Sequence, residues 1–253
     1  MITLEGIVLK ERAFGEQDKF IDILTKDRGL IELSVRGARK INGKSSASTQ
    51  LFAYSRFCID QKKNRFLLNS VEPIHIFYGL RNSLSAISLA SYFADILKYS
   101  TAELMDSGNV LRLFLNTLFY LENGNRSEQL LKPIFELRLM SEIGFMPDIL
   151  ICRGCGCYEP KISYFSLKNG GFYCSECKDA NELDSSYFTI GLPVLTAVRH
   201  IVLADFDRLY NFRLSEKSTK VLSEFSEQYT LSHLGRNFNT LDFYKNLSSK
   251  TVE

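Results

Sequence analysis

The sequence predicts an α+β protein, in which an N-terminal β-barrel is followed by an all-helical domain carrying a four-cysteine module. Three observations predict it. The hydrophobic period is near two as far as about Tyr78 and becomes helical after Gly79. About five short apolar runs, separated by glycine-bearing turns, fill the first eighty or so residues. Two C-x2-C pairs, Cys152/Cys155 and Cys174/Cys177, stand eighteen residues apart.

The strands come first. Ile2, Leu4, Gly6 and Val8 share one face, with Thr3 and Glu5 on the other. Residues 20–24 and 30–35 flank the short turn Lys26-Asp27-Arg28-Gly29 and read as a hairpin. Residues 56–60 and 65–69 flank Gln61-Lys62-Lys63-Asn64 in the same way. A closed barrel removes the exposed edges that so many short strands would leave, and an OB-fold over residues 1–80 is the natural candidate.

No acidic residue lies between Glu32 and Asp60, whereas Arg36, Arg39, Lys40, Lys44 and Arg56 are all basic. The segment 36–49 leaves a strand end and becomes a polar loop with glycine and serine. Such a segment suits a phosphate backbone: lysine and arginine neutralise charge while hydroxyls and backbone N–H groups donate hydrogen bonds. Arg36, Arg39, Lys40 and Lys44 are therefore the expected nucleic-acid contacts, with Arg12 and Arg199 as extensions of the track. The alternative is a solvated charged loop. Phe52, Tyr54, Phe57 and Phe66 lie near enough in sequence to stack on bases, but each is better placed in the barrel core. The loop also imitates a phosphate-binding G-x4-G-K-[ST] motif around Gly43-Lys44-Ser45. Ala38 occupies the position of the required first glycine, and no helical period follows.

From residue 81 to 253 the pattern is helical. Leu84, Ile87, Ala90, Ala94 and Leu97 form one stripe, widened by Leu89, Phe93 and Ile96. Residues 110–121 are apolar nearly all round, which predicts a central, buried helix. Ser127 is a candidate cap for a third helix running to Ile143, which either kinks at Pro133 or begins later with Pro133 in its first turn. Pro193 opens another helix, and Ser215 caps one running toward Leu234. The tail from Thr240 to Glu253 is polar and is expected to fray.

The cysteine module, at about 148–180, interrupts the helical domain. Two C-x2-C pairs at this separation have tetrahedral zinc spacing: each pair turns tightly to aim two thiolates at one point. Residues 164–166 and 172–173 read as a small hairpin between them. Cys152, Cys155, Cys174 and Cys177 are the expected ligands, with Cys157 as an alternative to one of them. A disulfide pair, or buried thiols acting as small hydrophobes, explains two matched pairs less well. A four-cysteine site has no open coordination position, so the zinc is expected to support structure and not to activate water.

At 253 residues and 45% hydrophobic content the chain is long enough for two domains and a sizeable core. Met1-Ile2-Thr3-Leu4-Glu5 has neither a basic nor an apolar leader region, so no signal peptide is expected. No apolar run approaches a membrane span, and cysteines in metal spacing favour a reducing cytoplasm. A net charge of +2 leaves only local clusters to argue for a nucleic acid. His75, His200 and His233 are far apart and fall in no metal motif. Among catalytic motifs, no nucleophile elbow, H-E-x-x-H, deaminase signature or paired-carboxylate pattern occurs, so an enzyme is not expected.

The order of these pieces resembles the RecO family of bacterial DNA-repair and recombination mediators. The resemblance begins at 6–18, Gly-Ile-Val-Leu-Lys-Glu-Arg-Ala-Phe-Gly-Glu-Gln-Asp, and continues through Leu24-Thr-Lys-Asp-Arg-Gly29 and Arg36-Gly-Ala-Arg-Lys40. It resumes at 135–147, at the cysteine pairs with Gly170-Gly171 between them, and at 233–241. At Asn237-Phe238 the chain departs from the Arg/Lys-Ser found in many members. The resemblance implies an N-terminal OB-fold, a helical domain with a zinc module, and a bacterial cytoplasmic, nucleoid-associated location. It also implies binding to single- and double-stranded DNA and annealing of complementary strands. RecR and single-stranded-DNA-binding protein are the implied partners in loading RecA, and no membrane is involved. The rival readings are a zinc-ribbon nuclease with scattered carboxylates and an interaction scaffold that does not bind DNA.

Overall fold

The computed structural model describes residues 1–37, 45–62, 65–102, 106–167, 169–178 and 187–250, with the backbone alone for 248–250. Among the described residues no helix is long and apolar enough to cross a membrane.

The first unit contains Met1–Asn125 and Phe238–Glu253. Five strands, β1 (Ile2–Phe14), β2 (Asp18–Thr25), β3 (Gly29–Val35), β4 (Ala53–Lys62) and β5 (Arg65–Ile76), close into a barrel in the order β1-β2-β3-β5-β4. All neighbours are antiparallel except β3 and β5, which close the barrel in parallel through Leu33–Phe66 and Ser34–Leu67. The expected OB-like barrel is therefore present. Val8, Ile21, Ile23, Ile31, Leu33, Val35, Phe57 and Ile59 fill its interior, with Ile2 and Leu4 packed against them.

β1 runs well past Val8. A bulge between Val8 and Lys10 re-aims the strand, and the β1–β2 hairpin continues to the pair Phe14–Asp18. Gly6 pairs with Thr25 so closely that an added Cβ would lie 2.8 Å from the Leu24 carbonyl oxygen.

The helices of this unit exchange the roles that the sequence suggests. In α1 (Leu84–Ser100), Ala86, Leu89, Ala90, Tyr92, Phe93, Ala94, Ile96 and Leu97 are buried, nearly all round the helix. It packs against β1, α2 (Gly108–Asn123) and the C-terminal helix. The expected buried helix, α2, instead leaves Arg112 and Phe119 exposed. Over its full length α2 is the less apolar of the two, with Asn109, Arg112, Asn116 and Glu122 along it.

The second unit is Arg126–Asn237. Its first helix, α3 (Glu128–Glu142), starts ahead of Pro133 and runs through it. Ser127 bounds the helix with its carbonyl, which accepts from the Leu130 and Leu131 N–H groups, and not with its hydroxyl. A three-stranded sheet follows, with β6 (Ile162–Ser166) flanked by β7 (Gly171–Cys174) and β8 (Tyr187–Gly191); the one-turn α4 (Ser175–Lys178) lies between β7 and β8. The chain continues through α5 (Leu192–Leu203) and α6 (Glu216–Leu234), the latter capped by the Ser215 hydroxyl accepting from Ser218 N–H. Phe165 sets the sheet on α6 through edge contacts with Phe225 at 4.9 Å and Tyr229 at 5.8 Å. Between α3 and α6, buried Lys132 lies 3.0 Å from both Glu136 and Glu227, and Ser226 donates to Glu136.

Two arginines hold carbonyls that no strand or helix satisfies. Arg138 of α3 donates to the carbonyls of Ile201, Val202 and Ala204 at the end of α5. Arg199 of α5 is 6% exposed. Its Nε donates to the Ile149 carbonyl at 2.7 Å, and its Nη2 to those of Leu150 and Tyr158 at 2.8 and 2.6 Å. This corrects the expectation that Arg199 extends a phosphate track. An arginine buried among backbone acceptors of its own unit fastens the loop before β6.

The C-terminal segment is also corrected. It forms α7 (Asn239–Lys250), back in the first unit. Phe238, Leu241 and Tyr244, three residues apart, are buried. Phe238 packs against Tyr92 and Tyr99 of α1 at 5.9 and 6.0 Å. A mostly polar composition conceals this narrow apolar stripe.

Two substitutions test these contacts. Gly6→Ala should destabilise the first unit by about 1–3 kcal/mol through overpacking, read as a lower urea midpoint with an unchanged slope. Arg199→Lys should cost at least about 1–3 kcal/mol, because a point-like ammonium cannot serve three carbonyls and leaves buried acceptors unmet. Amide exchange around Ile149, Leu150 and Tyr158 should then accelerate.

Candidate metal centre and nucleic-acid interface

The four cysteines converge as the spacing predicts. A tight turn brings Cys152 and Cys155 together: Cys152 N–H donates to the Cys157 carbonyl and Gly156 N–H to the Cys152 carbonyl, both at 2.9 Å. Cys174 ends β7 and Cys177 lies in α4. Their sulfurs all lie within 4.8 Å of one another, with Cys155 and Cys174 at 3.7 Å. That spacing matches the edge of about 3.8 Å of a tetrahedron built on metal–sulfur bonds of about 2.3 Å. Cys157 is exposed and lies outside this group, so the alternative ligand is not the one brought to the cluster.

The site's electrostatics suit a cation. Burial acts to raise the Cys152 thiol, but N–H donors from Cys155, Cys174 and Gly154 outweigh it and bring the thiol down to about 6. The hydrogen bond with Cys155 leads the influences that push the Cys177 thiol up to about 12. One thiolate suppresses the ionisation of its neighbours, and a bound cation relieves that repulsion. The four cysteines can therefore hold a metal ion.

On the barrel, Arg36 follows the last residue of β3 and is exposed, with no carboxylate partner among the described residues. Arg39, Lys40 and Lys44 lie outside the described residues. Arg12 is exposed too, but it pairs with Asp22 at 3.0 Å and with Glu32, so its charge is already matched. Arg56 likewise pairs with Glu5. Phe52, Phe57 and Phe66 are core residues, as expected. Tyr54 donates to Glu5, and burial, then that carboxylate, push its phenol up to about 12.

One aromatic escapes the sequence reasoning. Phe14, at the end of β1, is 59% exposed and meets Phe20 edge-on at 5.0 Å. An aromatic standing immediately before a turn glycine, Gly15, in an otherwise polar stretch was the available signal.

Comparison with known proteins agrees with this geometry. The family model described as Recombination protein O N terminal matches residues 1–77, and that described as Recombination protein O C terminal matches residues 81–242. The DNA repair protein RecO of Acetivibrio thermocellus is 34% identical over 246 residues, covering 97% of each chain. That of Alkaliphilus metalliredigens is 30% identical over 250 residues, covering 98% of this chain and all of the relative. That of Bacillus pumilus is 32% identical over 188 residues, about three quarters of each chain. With a barrel in the first matched region and a four-sulfur cluster in the second, the chain belongs to the RecO family of DNA repair proteins.

Proposed function

We propose that this chain is a DNA-binding mediator that anneals complementary strands and, with RecR, assists RecA loading onto single-stranded DNA held by single-stranded-DNA-binding protein. The observation that carries the proposal is the placement of Arg36, unpaired among the described residues, where β3 of a closed barrel gives way to the basic segment 36–44. Family membership supplies the repair context. Arg36, Arg39, Lys40 and Lys44 contact phosphates without reading sequence. Annealing then needs no covalent chemistry: screening the repulsion between two strands while base edges stay free is sufficient.

Cys152, Cys155, Cys174 and Cys177 hold a structural zinc ion. Bound there, zinc supplies a closed tetrahedral crosslink joining the turn at Cys152 to β7 and α4.

Annealing of two labelled complementary strands without nucleotide tests the first part. An Arg36/Arg39/Lys40→Ala variant with unchanged circular dichroism should lose the activity. Each lost contact should also flatten the log–log salt dependence of binding by about 0.7 on single strands and 0.9 on duplex. If the variant anneals like wild type, the basic segment is not the contact. Divalent-metal-dependent cleavage of either strand would point to a nuclease instead.

For the metal, the purified protein should carry one zinc per chain by native mass spectrometry. Cys174→Ser should lose the zinc and melt at lower temperature. Full folding of that variant without metal would remove the structural role.

A further inference from the structure

The outer face of β1, β2 and β3 has a layout that the basic segment does not explain. Strand register sets the residues in rows. Arg12, Phe20 and Ser34 form one row, and Lys10, Asp22 and Glu32 the next. At the turn end of the hairpin Phe14 pairs with Asp18, and Arg36 follows β3 beside them, since Gly37 N–H donates to Asp18 Oδ1 at 2.8 Å. Phe14 and Phe20 are diagonal neighbours, and their edge contact fixes the Phe14 ring with more than half its surface in solvent. A lone exposed phenylalanine is unremarkable on a protein surface. This one is braced by a second ring, has across β2 an arginine without a carboxylate partner among the described residues, and lies where a bulge carries the hairpin beyond the barrel.

The carboxylates of this face are mostly engaged. Asp18 accepts from Gly37, and Asp22 and Glu32 are paired with Arg12. Glu16, in the hairpin turn, is exposed. Among the described residues Arg36, and Lys10 in the row of Asp22, are exposed without a carboxylate partner, and their positive charge is left for an anionic ligand near the rings. A flat apolar face beside such a cation matches a nucleotide, whose base stacks on an aromatic ring while its phosphate meets the guanidinium. Bases within a duplex are already stacked on each other and present no face to the ring.

We infer that Phe14, braced by Phe20, is a stacking platform for an unpaired base, and that it makes this face of the barrel prefer single strands over duplex. The inference rests on the proposed DNA-binding role and adds to it a contact that is not electrostatic. The two contributions separate by salt. A phosphate contact releases counterions and changes the salt slope, whereas stacking changes affinity at every salt concentration and leaves the slope alone.

The experiment is equilibrium binding of labelled oligothymidine, an abasic strand of the same length, and a duplex, each over a salt series. Wild type is compared with Phe14→Ala, Phe14→Tyr and Arg36→Ala. Phe14→Ala should weaken oligothymidine binding on the order of 5- to 150-fold, with an unchanged slope and unchanged binding of the abasic strand and duplex. Phe14→Tyr should bind like wild type. Oligothymidine binding by Phe14→Ala equal to wild type, or an equal loss on the abasic strand, overturns the stacking role. It leaves the phosphate reading intact if Arg36→Ala still flattens the slope. An unchanged slope in Arg36→Ala overturns the phosphate role of that residue, and no binding to any strand at low salt overturns both.

Discussion

Every backbone N–H and C=O withdrawn from water must find a partner, and each unit meets that constraint with a different device. In the first unit the device is closure. The parallel join of β3 to β5 leaves the five-stranded sheet without an open edge, although it is made through only two residue pairs. In the second unit the sheet has three strands and open edges, and the neighbouring loops carry carbonyls that no ladder reaches. Arginines do the work there. Arg138 collects carbonyls at the end of α5, and Arg199 those on either side of the cysteine turn. An arginine in this position is a strut whose charge is directed inward.

The same distinction separates structural from available charge throughout the molecule. Arg12, Lys19 and Arg56 of the barrel are matched by carboxylates of neighbouring strands. Lys132 is shared by two glutamates in the helical core of the second unit. Counting basic residues therefore overstates what a polyanion would meet, and Arg36 stands out because its strand ends where the acidic rows end. The cysteines present the opposite problem. Four sulfurs brought this close oppose one another's ionisation, so the cluster is an incomplete charge arrangement that a divalent ion completes.

Much of this was legible from residue order. The alternation in β1–β5, the turn at Gly29, the Ser215 cap and the C-x2-C spacing are local signals, and the structure realises each of them. What stayed hidden depends on neighbours distant in sequence. Arg199 reads as a cation until Ile149, Leu150 and Tyr158 are folded against it. The surrounded helix is α1 and not α2, because β1, α2 and α7 all pack on it. Phe238, at the departure from the family pattern, fills the space between Tyr92 and Tyr99, which no local period announces. The direction of Phe14 is not set locally either, because a register shift at the bulge decides which way the hairpin tip faces.

The pairing of α7 with α1 has a consequence for synthesis. The chain leaves the first unit after Asn125 and returns at Phe238, so α1 emerges from the ribosome well before the helix that covers it. At about 5–20 residues per second, making the intervening Arg126–Asn237 takes on the order of 5–20 s. Throughout that interval the apolar surface of Tyr92 and Tyr99 has no Phe238 to meet. The second unit can settle as soon as its own residues are out, whereas the first must wait with its barrel formed and one helix face bare. The half of the molecule translated first is the half completed last.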